Sequence, residues 1–349
     1  MTTIAPERRA PVRTGARRHV VVLVGGIVAL VACVVLSLAF GSRQVAPSDV
    51  LHGLAAWLRG ENGTTFGAVV AQQRIPRTLL ALVAGAALAM SGAIMQAITR
   101  NPIADPGILG VNTGASLAVV CGITFLGVTT TFGYIWLALA GAAIAAVFVY
   151  IVGSIGPGGA TPIKLALAGV ATTAALSSLV SAVLLPNLAA MDKFRFWQVG
   201  GVAGADWSSM AVIVPMLVVA AIVAFVCTPA LNALALGDDV AVGLGVHVGR
   251  IRIIAATAGV VLCAAVTAIA GPIAFVGLMV PHVVRLLCGP DQRWLLPLSA
   301  IGGAVLLTLA DTAGRLIGYP GETEAGIVTA FLGAPVLVVI ARRTRMKAM

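Results

Sequence analysis

Charge is what this sequence has least of. Of 349 residues, 22 are Lys or Arg and 12 are Asp or Glu, a charged fraction of 10%, where soluble domains run at about 25%. So few ionic groups cannot cover a globule of this length. With 60% hydrophobic residues and a mean hydropathy of +1.06, the composition excludes a cytosolic enzyme and a disordered chain. Aromatics at 5% beside 40 glycines argue against a large aqueous core. Lysine is scarcer still. Lys164, Lys193 and Lys347 are followed by Leu, Phe and Ala, so no phosphate-binding loop ending in Lys-Ser or Lys-Thr is present. If transport here is driven by ATP, another subunit must hydrolyse it. The four histidines (His19, His52, His247, His282) are isolated and form no H-E-x-x-H, and no Ser/His/Asp arrangement can be drawn from spacing. Cys33, Cys121, Cys227, Cys263 and Cys288 include no C-x-x-C and read as small buried helix residues, not a disulfide framework or a metal set.

Long apolar runs are what the sequence does have. They lie near 20–40, 77–98, 107–127, 133–153, 164–185, 209–230, 253–271, 272–288, 294–312 and 325–341, ten in all. About 20 apolar residues of helix cross a hydrocarbon core of about 30 Å, so the expectation is an all-α integral membrane protein with ten transmembrane helices. Only Gly271-Pro272 separates the seventh and eighth runs. The run at 20–40 follows Arg8, Arg9, Arg13, Arg17 and Arg18, like the basic start of a signal peptide. It exceeds the usual apolar stretch of about 7–15 residues and reads as an uncleaved first helix.

An even number of crossings puts both termini on one side. With that side cytoplasmic, fifteen of the 22 basic residues fall inside, as the positive-inside rule requires. The net charge of +10 is then an orientation signal, not a nucleic-acid face. The outer remainder is Arg43, Arg59, Arg74, Arg77, Lys193, Arg195 and Arg315, and these exceptions ask for a reason. Small residues recur at helical spacing in Gly85-Ala-Ala-Leu-Ala89 and Gly110-Val-Asn-Thr-Gly114, which reads as close helix packing in lipid. Asp311 and Arg315 stand four apart near the outer end of the ninth run and read as a local ion pair. An ion-coupled secondary transporter needs an ionisable group at depth, and Asp311 is the one candidate. The longest polar inner segment, 231–252, carries Gly237, Gly243, Gly245 and Gly249, two acids and two arginines. It reads as a glycine-punctuated helical hairpin suited to docking, or as a plain connector.

An ordered series of stretches resembles the FecCD family of ABC importer permeases, which carry vitamin B12, haem or ferric siderophores. The series begins with Arg74-Ile-Pro-Arg77, Gly85 through Ser91-Gly92, Gln96, and Arg100-Asn-Pro-Ile-Ala-Asp-Pro-Gly-Ile-Leu-Gly110. Leu167-Ala-Gly-Val170, Trp197-Gln-Val-Gly-Gly201 and Asp206-Trp207 follow. Next come Leu236-Gly237, Ala241 and Leu244-Gly245, then Gly271 through Leu278, Pro281-His282, Arg285, and Leu295 through Pro297. Ala310-Asp311, Arg315, Gly326 through Ala330 and Gly333-Ala-Pro335 end it.

The resemblance implies the type II ABC importer permease fold: ten crossings in a single permease domain over 1–349, a basic cytoplasmic tail at 1–19, and both termini inside. It implies a non-catalytic subunit of the bacterial plasma (inner) membrane that binds no cofactor. ATP and Mg belong to partner ATPase subunits. A second permease, as homodimer or heterodimer, would complete a wide central path surrounded by membrane lipid, and nucleic acid has no part. By the same resemblance, Arg74, Arg77 and Arg315 face outward to glutamates of an extracytoplasmic substrate-binding protein. Leu236, Gly237, Asp238, Asp239, Ala241, Leu244 and Gly245 enter a cleft of the ATPase, with the two acids as docking contacts or as helix N-terminal residues. The cytoplasmic gate falls at Gly158–Ile163, including Gly159, Thr161 and Pro162, where Pro162 replaces a small polar residue. Glu322-Thr-Glu324-Ala-Gly326 departs from the family's E-x-P-x-G by putting Glu324 where proline is usual. The substrate expected is a ferric siderophore, with vitamin B12 or haem as the alternatives. His282 reads as a packing residue.

Overall fold

The computed structural model describes residues 13–43, 45–61, 63–156 and 161–346. The described residues contain helices, turns and no strand. In chain order the helices are α1 (Arg13–Ala39), α2 (Pro47–Leu58), α3 (Phe66–Thr99), α4 (Val111–Phe125), α5 (Thr131–Ser154), α6 (Pro162–Leu184) and α7 (Leu188–Val199). Then come α8 (Trp207–Val226), α9 (Thr228–Ala235), α10 (Asp238–Gly243), α11 (Val248–Ala270), α12 (Val276–Cys288), α13 (Gln292–Ile317) and α14 (Ala325–Met346). Each of the ten apolar runs becomes a helix. This is the form in which a segment in lipid can satisfy its own backbone.

Seven of these, α1, α3, α5, α6, α8, α11 and α13, are long and apolar enough to cross a membrane. Among the described residues α4 (Val111–Phe125) and α12 (Val276–Cys288) are shorter apolar helices, and α14 is apolar over Ala325–Val338. For α4 and α12 the shortening has a physical cause. A 3-10 turn at Pro106–Leu109 and the Gly110 cap precede α4, and a non-helical segment precedes α12 at 271–275. Each consumes part of the run that hydropathy alone assigns to helix. Gly271 at φ 69° and Phe275 at φ 69° turn the chain between α11 and α12, sharpening the break that Gly271-Pro272 marks in the sequence.

The long helix α3 lies at the centre of the bundle. Three pairs of glycines let backbones meet. A Cβ on Gly85 would overlap the carbonyl of Gly303 on α13, one on Gly92 the carbonyl of Gly277 on α12, and one on Gly114 the carbonyl of Gly141 on α5. Thr65, Thr130, Asn187 and Asp206 cap α3, α5, α7 and α8 by accepting from amides in their first turns, which satisfies donors that a helix start leaves open. The short helices α2 and α7 are not marked by apolar runs. Gly53 of α2 packs directly on Ala68 and Ala71 of α3, and Trp57 stacks on Trp207 at 6.1 Å between centroids. All five cysteines are free thiols, four of them buried.

Candidate functional site: two ionic joints at opposite ends of the bundle

Side-chain contacts sort the connecting segments into two ends. At the end expected to face outward, Arg77 on α3 grips Asp311 on α13 with its Nε (3.0 and 3.1 Å) and Nη2 (2.7 Å). Arg315, one turn beyond Asp311, closes the other side at 3.1 Å. The i,i+4 pair is therefore present, and it has a third member that sequence spacing does not reveal. Asp311 is 1% exposed and Arg315 2%. An acid at that depth is tolerable because two guanidinia compensate it.

Arg315 also donates to the Ser37 and Phe40 carbonyls at 3.0 and 3.1 Å and to Ser37 Oγ at 2.8 Å. Arg74 donates to the carbonyls of Leu38 (2.8 Å), Ala39 (2.9 Å) and Arg43 (2.6 Å). Two arginines thus cap the C-terminal carbonyls of α1, where a cation also complements the helix dipole. The three arginines expected to meet a binding protein differ in exposure. Arg74 and Arg315 are buried and turned into the bundle, while Arg77 keeps an outer edge, its Nη1, which meets Glu322 at 2.5 Å. Ser42 Oγ donates to the same carboxylate at 2.7 Å.

Burial opposes the charge on Glu322, but hydrogen bonds from Arg77 and Ser42 and the positive charge of Arg77 and Arg315 outweigh it. They hold its carboxyl below the ordinary glutamate range. Glu324, two residues on, is shifted the other way. Burial raises it, and Asp311 and Glu322 add to that against the pull of Arg77. Its carbonyl accepts from Ile327 N at 3.0 Å as α14 begins. Its carboxylate fills the space in front of Gly201, where a Cβ would overlap it. The neighbouring backbone is tied by Gly326 N to the Gly200 carbonyl (3.0 Å) and Gly201 N to the Ala270 carbonyl (2.7 Å). These contacts explain why glycines stand at 200, 201 and 326.

At the opposite end Arg100, in the left-handed region at φ 49°, ends α3. Its Nε donates to the Leu234 carbonyl at 2.8 Å, and its Nη2 reaches Asp238 Oδ1 at 2.5 Å. Arg252 of α11 donates to both oxygens of Asp238 at 3.0 Å. Asp238 is therefore a shared anchor for two bundle helices, and it also sits in the first turn of α10, where an acid is favourable. Asp239 is exposed. Ala241 is fully buried, whereas Leu236, Val240, Val242 and Leu244 stand 48–66% exposed. Gly237 at φ 122° and Gly245 at φ 80° make the turns on either side of α10. The segment read as 231–252 is thus two short helices, and Arg250 and Arg252 already belong to α11.

Of the expected gate residues, Gly159 lies outside the described residues. Thr161 Oγ1 accepts from Lys164 N at 3.4 Å at the start of α6, and Pro162 is the first residue of that helix. Asp105 stands in the Arg100–Gly110 stretch of the sequence series, where it carries no assigned role. Its Oδ1 accepts from Gly107 N at 2.8 Å, and it borders a cavity of about 450 Å³ lined otherwise by side chains such as Met95, Ile98 and Val170. Gln96 was visible in the sequence series, and its role is now clear. It donates to the Gly277 and Leu278 carbonyls at 3.2 Å and accepts from Arg285 at 3.0 Å, pinning the start of α12. Among the described residues no His, Cys, Asp and Glu gather as a metal set.

A bundle of apolar helices whose ionic joints, among the described residues, lie towards its two ends is built as a multi-pass membrane protein. The FecCD transport family matches residues 29–343, and the chain belongs to that family. It is 42% identical over 319 residues to the ferric enterobactin transport system permease protein FepD of Escherichia coli (strain K12), covering 91% of this chain and 94% of that one. It is 40% identical over 310 residues to the Fe(3+)-citrate import system permease protein YfmD of Bacillus subtilis (strain 168), covering 89% and 91%. Among solved structures, an inward-facing conformation of a metal-chelate type ABC transporter matches with a TM-score of 0.79 at 27% identity, covering 93% of this chain and 99% of that one. The family and the apolar helices fit a multi-pass protein of the bacterial inner membrane.

Proposed function

We propose that this chain is the non-catalytic permease subunit of an ATP-driven importer of ferric siderophores, working by alternating access. The observation that carries the reading is the α9–α10 tip. It presents Leu236, Val240, Val242 and Leu244 to its surroundings, while Asp238 ties the same tip to α3 through Arg100 and to α11 through Arg252. An exposed apolar rim marks a partner surface, and the two-armed anchor behind it would pass the partner's movement into the bundle. The partner is an ATPase subunit that supplies ATP and Mg, and this chain binds no cofactor of its own.

Ten crossings with both termini cytoplasmic and a second permease copy complete the proposed assembly, with the gate at 158–163. A substrate-binding protein docks at the opposite end. Arg77 is the arginine best placed to meet its carboxylates, because Arg74 spends its donors on the end of α1 and the loop after it, and Arg315 on α1, Thr312 and Asp311. The substrate class rests on relatives named for ferric enterobactin and Fe(3+)-citrate. Asp311 held between two arginines supports ATP drive over proton coupling.

Reconstitution of the chain with its ATPase and binding protein in vesicles tests the reading. ATP-dependent accumulation of radioactive iron as a ferric siderophore is expected, with none when ATP is omitted. Uptake that follows an imposed proton gradient without ATP would overturn it.

A further inference from the structure

The flank of the bundle where α1 meets α12 and α13 carries a groove of about 470 Å³. Val22, Gly25 and Gly26 line it from α1, and Met279, Val283 and Leu287 from α12. Gly25 opens it: a Cβ there would meet nothing within 4 Å. Among the described residues its lining is apolar side chains and glycine throughout. One turn before Val22 on the same helical face stands Arg18, since positions 18, 22, 25 and 29 repeat at three and four residues. Its Nη2 donates to the Leu286 carbonyl at the end of α12, 2.9 Å away, which fixes an exposed guanidinium at the groove's mouth. Arg17 beside it is also exposed. The first turn of α1 contains no acid, so the positive pole of the helix adds to both arginines. His19 closes the neighbouring gap, stacked on Trp294 at 4.8 Å with its Nε2 2.9 Å from the Cys288 carbonyl.

A thin apolar slot with a cationic mouth at the end expected inside fits one kind of occupant. We propose that this groove is a binding site for an anionic phospholipid of the cytoplasmic leaflet, one acyl chain lying along Gly25 and Gly26 and the phosphate held by Arg18, with Arg17 beside it. The guanidinium fork suits phosphate oxygens, and basic pockets between membrane helices on the cytoplasmic side select anionic headgroups. Gly25 then has a reason beyond helix packing, because a Cβ there would meet no neighbouring atom. This site is separate from the transport reading, and its test needs neither an ATPase nor a substrate.

The full chain, purified in detergent, is offered equal amounts of dioleoyl phosphatidylglycerol and dioleoyl phosphatidylcholine, and retained lipid is counted by native mass spectrometry. Retention of phosphatidylglycerol is expected to exceed that of phosphatidylcholine by about fivefold per arginine engaged. Arg17→Gln with Arg18→Gln should bring the two lipids level while retaining both. Gly25→Leu should fill the slot and lose both, with thermal unfolding in detergent alone unchanged. Equal retention by the unmodified chain, a preference that survives the double arginine variant, or full retention by Gly25→Leu would each overturn the proposal. Displacement of phosphatidylglycerol by millimolar inorganic phosphate would also count against it, since a phosphate site without the groove is not this one.

Discussion

Arg100 and Asp238 meet across 138 residues of sequence, Nη2 to Oδ1 at 2.5 Å, and this contact joins the end of the longest helix, α3, to the short helix α10. Arg100 closes a helix of 34 residues, about 50 Å at 1.5 Å per residue. The same helix carries Arg77, in the ionic joint with Asp311, eleven residues from its start. One rod thus joins both charged grips, and its own residues between Arg77 and Arg100 include no Asp, Glu, Lys or Arg.

Asp238→Asn in the assembled transporter is expected to leave folding almost untouched, because the pair is partly solvent-exposed and such pairs contribute at most about 1 kcal/mol. The ATPase should still bind and turn over. Transport per ATP hydrolysed should fall severalfold, since the tip would no longer hold both Arg100 and Arg252. The measurement is iron uptake against phosphate release in the same vesicles. An unchanged ratio would show that the movement enters the bundle by another contact.

The apolar rim makes a separable prediction. Leu236→Asp together with Leu244→Asp alters side chains that are 66% and 61% exposed, so yield and thermal stability of the permease alone should not change. Co-purification of the ATPase should be lost. Retention of the ATPase at the unmodified level would move its docking surface elsewhere on the molecule.

At the other joint the expected effect falls on stability. Asp311 is buried with Arg77 and Arg315 against it, and removing one member of a buried pair costs about 3–5 kcal/mol because the remaining charge is left uncompensated. Asp311→Leu should therefore lower the thermal midpoint in detergent sharply, or prevent accumulation in the membrane. Arg77→Gln together with Asp311→Asn should recover part of the loss. A single variant as stable as the parent would mean that Arg315 and Arg77 find carbonyl partners enough without the acid.

How much of this was legible in the sequence depends on distance along the chain. The apolar runs become helices because length and hydropathy are local properties, and Asp311–Arg315 was legible because four residues make one helical turn. Arg77 and Asp311 are 234 residues apart, so nothing local links them, and three arginines that looked like outward exceptions to a charge rule turn out to be shared between an acid and the end of α1. Asp238 left two readings open, docking contact or helix start. The structure gives it a third partner set in Arg100 and Arg252 that neither reading contained. The short helices α2 and α7 escaped because they are too brief and too mixed in composition to register as runs. Glu324 was visible as an oddity, and its place against Gly201 shows what occupies the space in front of the glycine pair.

Glu322 gives the joint a pH dependence of defined sign. Its carboxyl lies below the ordinary glutamate range in the folded chain because the contacts from Arg77 and Ser42 outweigh burial. Its contribution is therefore fully present above the ordinary glutamate value and is lost as pH falls through the lower folded value. Glu324 works in the opposite sense, since burial beside Asp311 and Glu322 raises it, and its protonation begins at higher pH and relieves repulsion. Hydrogen exchange at Thr323, whose amide donates to the Gly314 carbonyl at 3.1 Å, reads the loop directly after correction for intrinsic exchange. Protection should hold or rise slightly as pH falls toward the ordinary glutamate value, then drop below it. Glu322→Gln should abolish the drop and leave the earlier rise, and Glu324→Gln should do the reverse. A drop that persists in Glu322→Gln would place the titrating group elsewhere.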